Sequence, residues 1–128
     1  MSSFLATSHP AVLWVDGDER YPRLHQARLE EKGFQIIYTR QGHQALERLD
    51  QQEFDIAVVD AKLADIDGLD LVGQMASAHR NMAIIIYTAS PFYEINFRSW
   101  AADAVVTKSK NSGELLRKMT SLLQQRAR

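Results

Sequence analysis

The chain has 128 residues, 45% hydrophobic and 24% charged, with 15 basic and 16 acidic residues for a formal net charge of −1. This is the size and composition of one globular domain able to bury roughly two-thirds of its unfolded surface, with no basic excess to drive binding to nucleic acid or an anionic membrane. The absence of cysteine excludes disulfides, thiolate metal sites and thiol catalysis, and no apolar run approaches the roughly 20 residues of a membrane helix.

Residues 1–9 are small and polar and lack the basic and apolar segments of a signal peptide. They read as a loose arm before a core spanning residues 10–125, and a cytoplasmic location is expected. After Pro10, Ala11-Val12-Leu13-Trp14-Val15 predicts a first strand with Trp14 in the core. Asp16-Gly17-Asp18-Glu19 is an acidic turn, with Asp18 placed to cap a helix over residues 20–32. Pro22 is tolerated in that helix's first turn. Leu24, Ala27 and the stem of Arg28 are expected to face inward, and Gly33 to end the helix. Residues 34–39 predict a second strand, and residues 43–52 a second helix buried through Ala45, Leu46 and Leu49.

In Phe54-Asp55-Ile56-Ala57-Val58-Val59-Asp60, four apolar residues run into a single carboxylate. A short unbroken apolar run bounded by turn signals reads as a strand buried on both faces. A loop over residues 61–67 ends in Asp67-Gly68, where a helix opens with Leu69, Val72 and Met75 or Ala76 at helical spacing. Ala83-Ile84-Ile85-Ile86-Tyr87 predicts the fourth strand and is rich in β-branched residues. Residues 91–101 predict a short helix, although Phe92, Tyr93, Ile95, Phe97 and Trp100 form no clean stripe. Residues 104–107 give a fifth strand. The last helix, over residues 112–125, carries Leu115, Leu116, Met119, Leu122 and Leu123 on one face. Strands alternating with helices point to an α/β fold with a parallel sheet and right-handed crossovers. Alternation alone leaves the strand order open.

The four core strands end in different reactive groups: Asp16, Asp60, Thr88 and Lys108. In an open parallel sheet the carboxyl edge is where ligands bind. Taken singly, each residue has an ordinary role, as a turn or cap for the acids, a strand threonine, and a surface lysine lying over its stem. Together they make a site. Asp16 and Asp60 would repel unless a cation lay between them, and Mg2+ accepts one or two carboxylates, carbonyl oxygens and waters. Lys108 adds a point charge for a phosphoryl oxygen and Thr88 a hydroxyl donor. Such a set can accept a phosphoryl group as an acyl phosphate. His9, His25, His43 and His79 show no ligand spacing and read as solvated or packing residues.

Val15-Asp16-Gly17-Asp18-Glu19, Val59-Asp60-Ala61-Lys62-Leu63-Ala64-Asp65-Ile66-Asp67-Gly68, Tyr87-Thr88-Ala89 and Thr107-Lys108-Ser109 resemble the signature stretches of response-regulator receiver domains, and the resemblance extends from Ala11 to Leu123. It implies a single receiver domain with a flavodoxin-like (βα)5 three-layer sandwich and a five-stranded sheet in the order 2-1-3-4-5. It implies a two-component switch, not an enzyme beyond assisting its own phosphorylation and dephosphorylation. Asp60 would be the phosphoacceptor, served by a sensor histidine kinase or a histidine phosphotransfer protein. Thr88 and Lys108 would contact the phosphoryl group. Asp16, Asp60 and the backbone carbonyl of Lys62 would hold Mg2+, with Asp18 as a further candidate. A downstream protein or effector domain would dock around residues 92–100, Val105 and the last helix, with no direct contact to nucleic acid or membrane.

Four positions depart from that family's pattern. Gly17 stands where an acidic metal ligand is usual, Ala64 where a proline follows the phosphoacceptor, Val105 where a switch aromatic precedes the lysine, and Ser109 where a proline follows it. Gly17 and Val105 support a second reading, a receiver-like interaction module that works without phosphate. A third reading takes Asp16-Gly17-Asp18 as the Asp-x-Asp of haloacid-dehalogenase-like phosphatases. Arg20 stands where that family usually has Thr or Val. A dinucleotide-binding domain is disfavoured because no glycine-rich loop follows the first strand.

Overall fold

The apolar runs pair along their length, and the pairing sets their reactive ends side by side. The computed structural model describes residues 9–89 and 101–126. Its strands are β1 (Ala11–Val15), β2 (Gln35–Thr39), β3 (Ile56–Val59), β4 (Ala83–Thr88) and β5 (Ala104–Thr107). All neighbours run parallel in one sheet of order β2-β1-β3-β4-β5, the flavodoxin-like order that the resemblance implies. Four helices are described: α1 (Arg20–Glu31), α2 (Gly42–Gln51), α3 (Gly68–Ala78) and α4 (Gly113–Arg126). The short helix predicted over residues 91–101, with Phe92, Tyr93, Phe97 and Trp100, falls outside the described residues apart from Ala101. No described helix is long and apolar enough to cross a membrane.

Side chains alternate across a strand, so each central strand feeds two cores. Leu13, Val15, Ala57, Val59, Ile84 and Ile86 pack on one face with Ala45 and Leu49 of α2 and Leu71, Val72 and Met75 of α3. Val12, Trp14, Ile56, Val58, Ile85 and Tyr87 pack on the other with Leu29 of α1 and Leu115, Met119 and Leu123 of α4. Both faces are covered, which accounts for the continuous apolar runs. Each fully buried valine, leucine, isoleucine or methionine among them contributes about 1.5–3 kcal/mol by leaving water.

One helix faces differently from its prediction. Leu24 of α1 is 51% exposed and Ala27 is exposed, as is Arg28, while Pro22, His25 and Leu29 are buried. Two stripes of helical spacing compete in this segment, one centred on Leu24 and one on His25. The second wins because Trp14 stacks on the His25 ring and Tyr87 meets it edge-on, while polar partners satisfy both ring nitrogens. A buried histidine so satisfied avoids the penalty that makes it read as a surface residue. Gly33 ends α1 as expected, at a φ of 96°.

Three aspartates tie elements together over long sequence distances. Asp55 accepts the Ala11 backbone N–H at 2.8 Å, and Asp103 accepts that of Ile84 at 2.7 Å. Asp65 accepts the Gly42 and His43 N–H groups at 3.0 and 2.9 Å. It thereby caps α2, whose own N-cap residue, Gln41, makes no side-chain cap bond.

Candidate functional site

Backbone hydrogen bonds continue the sheet just past the strands and bring the predicted residues together. The Asp16 N–H donates to Thr39 O at 3.1 Å, that of Asp60 to Val15 O at 2.9 Å, and that of Lys108 to Thr88 O at 3.0 Å. Asp16, Asp60, Thr88 and Lys108 therefore line one carboxyl edge. Asp16 is fully buried and Asp60 and Thr88 nearly so.

Lys108 is the cation that the two carboxylates require. Its Nζ lies 3.0 Å from Asp16 Oδ1 and 2.9 Å from Asp60 Oδ2, with only 5% of the side chain exposed. The same ammonium sits 4.7 Å above the Tyr21 ring, a cation–π contact that the sequence did not indicate. Burial pushes the Asp16 carboxyl up, against the pull of Lys108. Burial pulls the Lys108 ammonium down, but its hydrogen bonds to Asp16 and Asp60 and their charges outweigh this and raise it. Charge neutralisation is thus shared among three groups.

Asp18 faces elsewhere. Its carboxylate is held by Arg20 through Nε at 2.9 Å and Nη2 at 2.7 Å, and it accepts the Arg20 backbone N–H at 3.1 Å. The Arg20 guanidinium brings its pKa down to about 2. Asp18, expected to cap α1, reaches the first helical N–H in this way, while the N-cap residue is Glu19, which makes no side-chain cap bond. The Lys62 N–H reaches Asp60 Oδ1 at 3.3 Å. Tyr38 hydroxyl donates to the Asp16 carbonyl and Arg40 Nε to the Gly17 carbonyl at 3.3 Å, so β2 steadies the acidic turn.

The residues present suit a hard divalent cation. Asp16 Oδ2 is buried and, among the described residues, accepts no hydrogen bond, although Lys108 Nζ lies 2.9 Å away. An anionic oxygen without an aligned donor is a ready cation ligand. Asp16 and Asp60 supply the one or two carboxylates that Mg2+ takes, while no cluster of three metal-ligating side chains occurs among the described residues. Gly17 stands where the resemblance expects an acidic ligand. A Cβ there would meet nothing within 4 Å, and its φ is not positive. Gly17→Asp is therefore expected to fold normally and to tighten Mg2+ by about tenfold or more through added ligand charge. Titration calorimetry with Mg2+ would read this, and an unchanged Kd would show that position 17 does not face the metal.

A family model for the response regulator receiver domain matches residues 12–120. Among solved structures, the response regulator protein TrrA from Thermotoga maritima, in complex with Mg2+ and BeF, is 31% identical with a TM-score of 0.82, covering 88% of this chain and 98% of that one. TrrA bound to the histidine kinase ThkA is similar at 32% identity and a TM-score of 0.81, covering 89% and 98% of the two chains. The alkaline phosphatase synthesis transcriptional regulatory protein PhoP of Bacillus subtilis is 26% identical over 114 residues, which are 88% of this chain and 48% of that protein. The chain thus spans about half the length of PhoP.

Proposed function

Since the chain belongs to the response regulator receiver domain family, the module of phosphorylation-based two-component signalling, we propose that Asp60 is its phosphoacceptor. The observation that carries this reading is Lys108 Nζ held between Asp60 and Asp16, 2.9 Å and 3.0 Å from their oxygens. Asp60 can attack phosphorus in a phosphohistidine or an acyl phosphate. The new O–P bond forms as the P–N or P–O bond breaks, and the leaving imidazole or carboxylate departs. Lys108 is placed to turn from Asp60 Oδ2 to a phosphoryl oxygen, offsetting charge in the transition state. Thr88, at the end of β4, offers a hydroxyl to a second oxygen. Mg2+, held by Asp16, Asp60 and the Lys62 carbonyl, would neutralise further phosphoryl charge when bound.

The kinase of this chain is of the class seen with TrrA, or a phosphotransfer protein, and its target is a protein or effector domain. Docking through residues 92–100, Val105 and α4 is the reading we adopt, and no direct contact to nucleic acid or membrane is part of it. The protein acts as a switch in the cytoplasm. A phosphate-independent interaction module is the second reading, favoured by Gly17 and by Val105, whose small side chain packs partly buried against the core.

Incubation with Mg2+ and acetyl phosphate, read by intact mass, tests the proposal. One labile phosphoryl group is expected on the natural chain and none on Asp60→Asn. No gain with acetyl phosphate, or from a cognate kinase, would leave the phosphate-independent module as the better account.

A further inference from the structure

Outside the acidic pocket lies a second polar cluster, which converges on the residue after Lys108. Ser109 belongs to no helix or strand, yet its backbone is held on both sides. Its N–H donates to the Tyr87 hydroxyl at 3.0 Å, and the same hydroxyl donates to its carbonyl at 3.0 Å. His25 Nε2 lies 2.8 Å from that carbonyl and 3.0 Å from the Tyr87 hydroxyl. His25 Nδ1 meets the Ser112 hydroxyl at the start of α4. A carbonyl only accepts, so Nε2 carries the proton and Nδ1 accepts from Ser112. The ring is then neutral, as full burial demands. Trp14, stacked at 6.1 Å and 16°, fixes its plane.

We propose that His25, with Tyr87, is a positioning residue that clamps the Ser109 backbone and so holds Lys108 between Asp16 and Asp60. This rests on the reading of Asp60 as phosphoacceptor. Lys108 is anchored on one side by its own N–H on Thr88 O, and the clamp supplies the other side. Serine at 109 is what permits it, because a proline there would have no N–H for the Tyr87 hydroxyl. Four separate elements, β1, α1, β4 and α4, thus determine where one ammonium sits. His25 and Tyr87 spend their hydrogen bonds on one another, Ser109 and Ser112 and not on Asp60, so the proposed effect passes through Lys108.

The test uses the whole chain with two readouts. In the first, lysines are labelled with trace acetic anhydride and the peptides are read by mass spectrometry. Lys108 is protected in the natural chain, and His25→Phe and Tyr87→Phe are each expected to raise its labelling about tenfold relative to the other lysines. His25→Gln, whose amide can still donate to the Ser109 carbonyl, should stay near the natural value. In the second, phosphorylation by acetyl phosphate with Mg2+ should slow about tenfold or more in His25→Phe. The same change in a Lys108→Met background should add nothing. Unchanged Lys108 labelling in both His25→Phe and Tyr87→Phe would overturn the proposal. So would an equal further slowing in the Lys108→Met background, since a merely structural role is additive. Should the natural chain accept no phosphoryl group, the functional reading fails, and the labelling still decides the clamp.

Discussion

Replacing Lys108 by methionine is expected to lower stability at neutral pH by about 3–5 kcal/mol, the range for removing one partner of a buried ionic set. Methionine keeps the length and apolar bulk of the stem, so packing should change little. What disappears is the charge-assisted contact to Asp16 and Asp60. Asp16 is fully buried, and burial already pushes its carboxyl up. Without the ammonium only the Asp18 backbone N–H, 2.9 Å from Asp16 Oδ1, still opposes that push, and the folded state gains affinity for a proton relative to the unfolded chain. A carboxyl raised in the folded state loses stability as pH rises through its folded value. The deficit of the variant should therefore shrink on acidification and grow toward neutrality.

A second cation should substitute for the lost one. Added Mg2+ is expected to raise the Tm of Lys108→Met by more than it raises that of the natural chain, since the metal no longer competes with an ammonium for the same oxygens. Urea unfolding at several pH values, with and without Mg2+, checks both statements. A loss below about 1 kcal/mol, typical of exposed pairs, would mean that the three groups do not form one buried set.

How much of this was legible beforehand depends on sequence separation. Asp16, Asp60, Thr88 and Lys108 each follow an apolar run, so strand ends alone marked them as sharing an edge. The order 2-1-3-4-5 came from resemblance, because a crossover helix looks the same whichever neighbour its next strand joins. Local signals also located Gly33 and the turn at Asp67, whose carboxylate accepts the N–H groups of Leu69 and Asp70. The misread face of α1 shows the limit of periodicity. Leu24 outranks His25 in hydrophobicity, and nothing nearby reveals that Trp14, Tyr87, Ser109 and Ser112 will surround the imidazole. The same holds for Asp65 on α2, 22 and 23 residues from its donors, and for Tyr21 beneath Lys108. Contacts of this kind leave no pattern in a window of ten or fifteen residues.

Gly68→Ala is expected to be strongly destabilising, costing about 3 kcal/mol, the upper end of the usual range for overpacking. The reason is the proximity of α3 to the loop that follows Asp60. A Cβ at Gly68 would overlap the Asp60 carbonyl oxygen and lie 2.7 Å from that of Ala61. Both are backbone atoms. The Gly68 N–H also donates to Ala61 O at 3.1 Å, so the two segments cannot part without losing that bond as well. Gly42 differs in what its Cβ would meet first, the Ile66 and Leu71 side chains and no backbone atom. Gly73, within α3, is the control: a Cβ there meets nothing within 4 Å. Gly73→Ala should stabilise by about 0.5–1 kcal/mol through helix propensity and a more restricted unfolded chain. The contrast separates crowding from any general effect of alanine in α3. If Gly68→Ala folds at all, the displaced Asp60 should also accept acetyl phosphate more slowly, whereas Gly73→Ala should react as the natural chain does. Equal stability of the two variants in urea would mean that α3 does not press on the Asp60 loop, and that the loop holds its shape by other contacts.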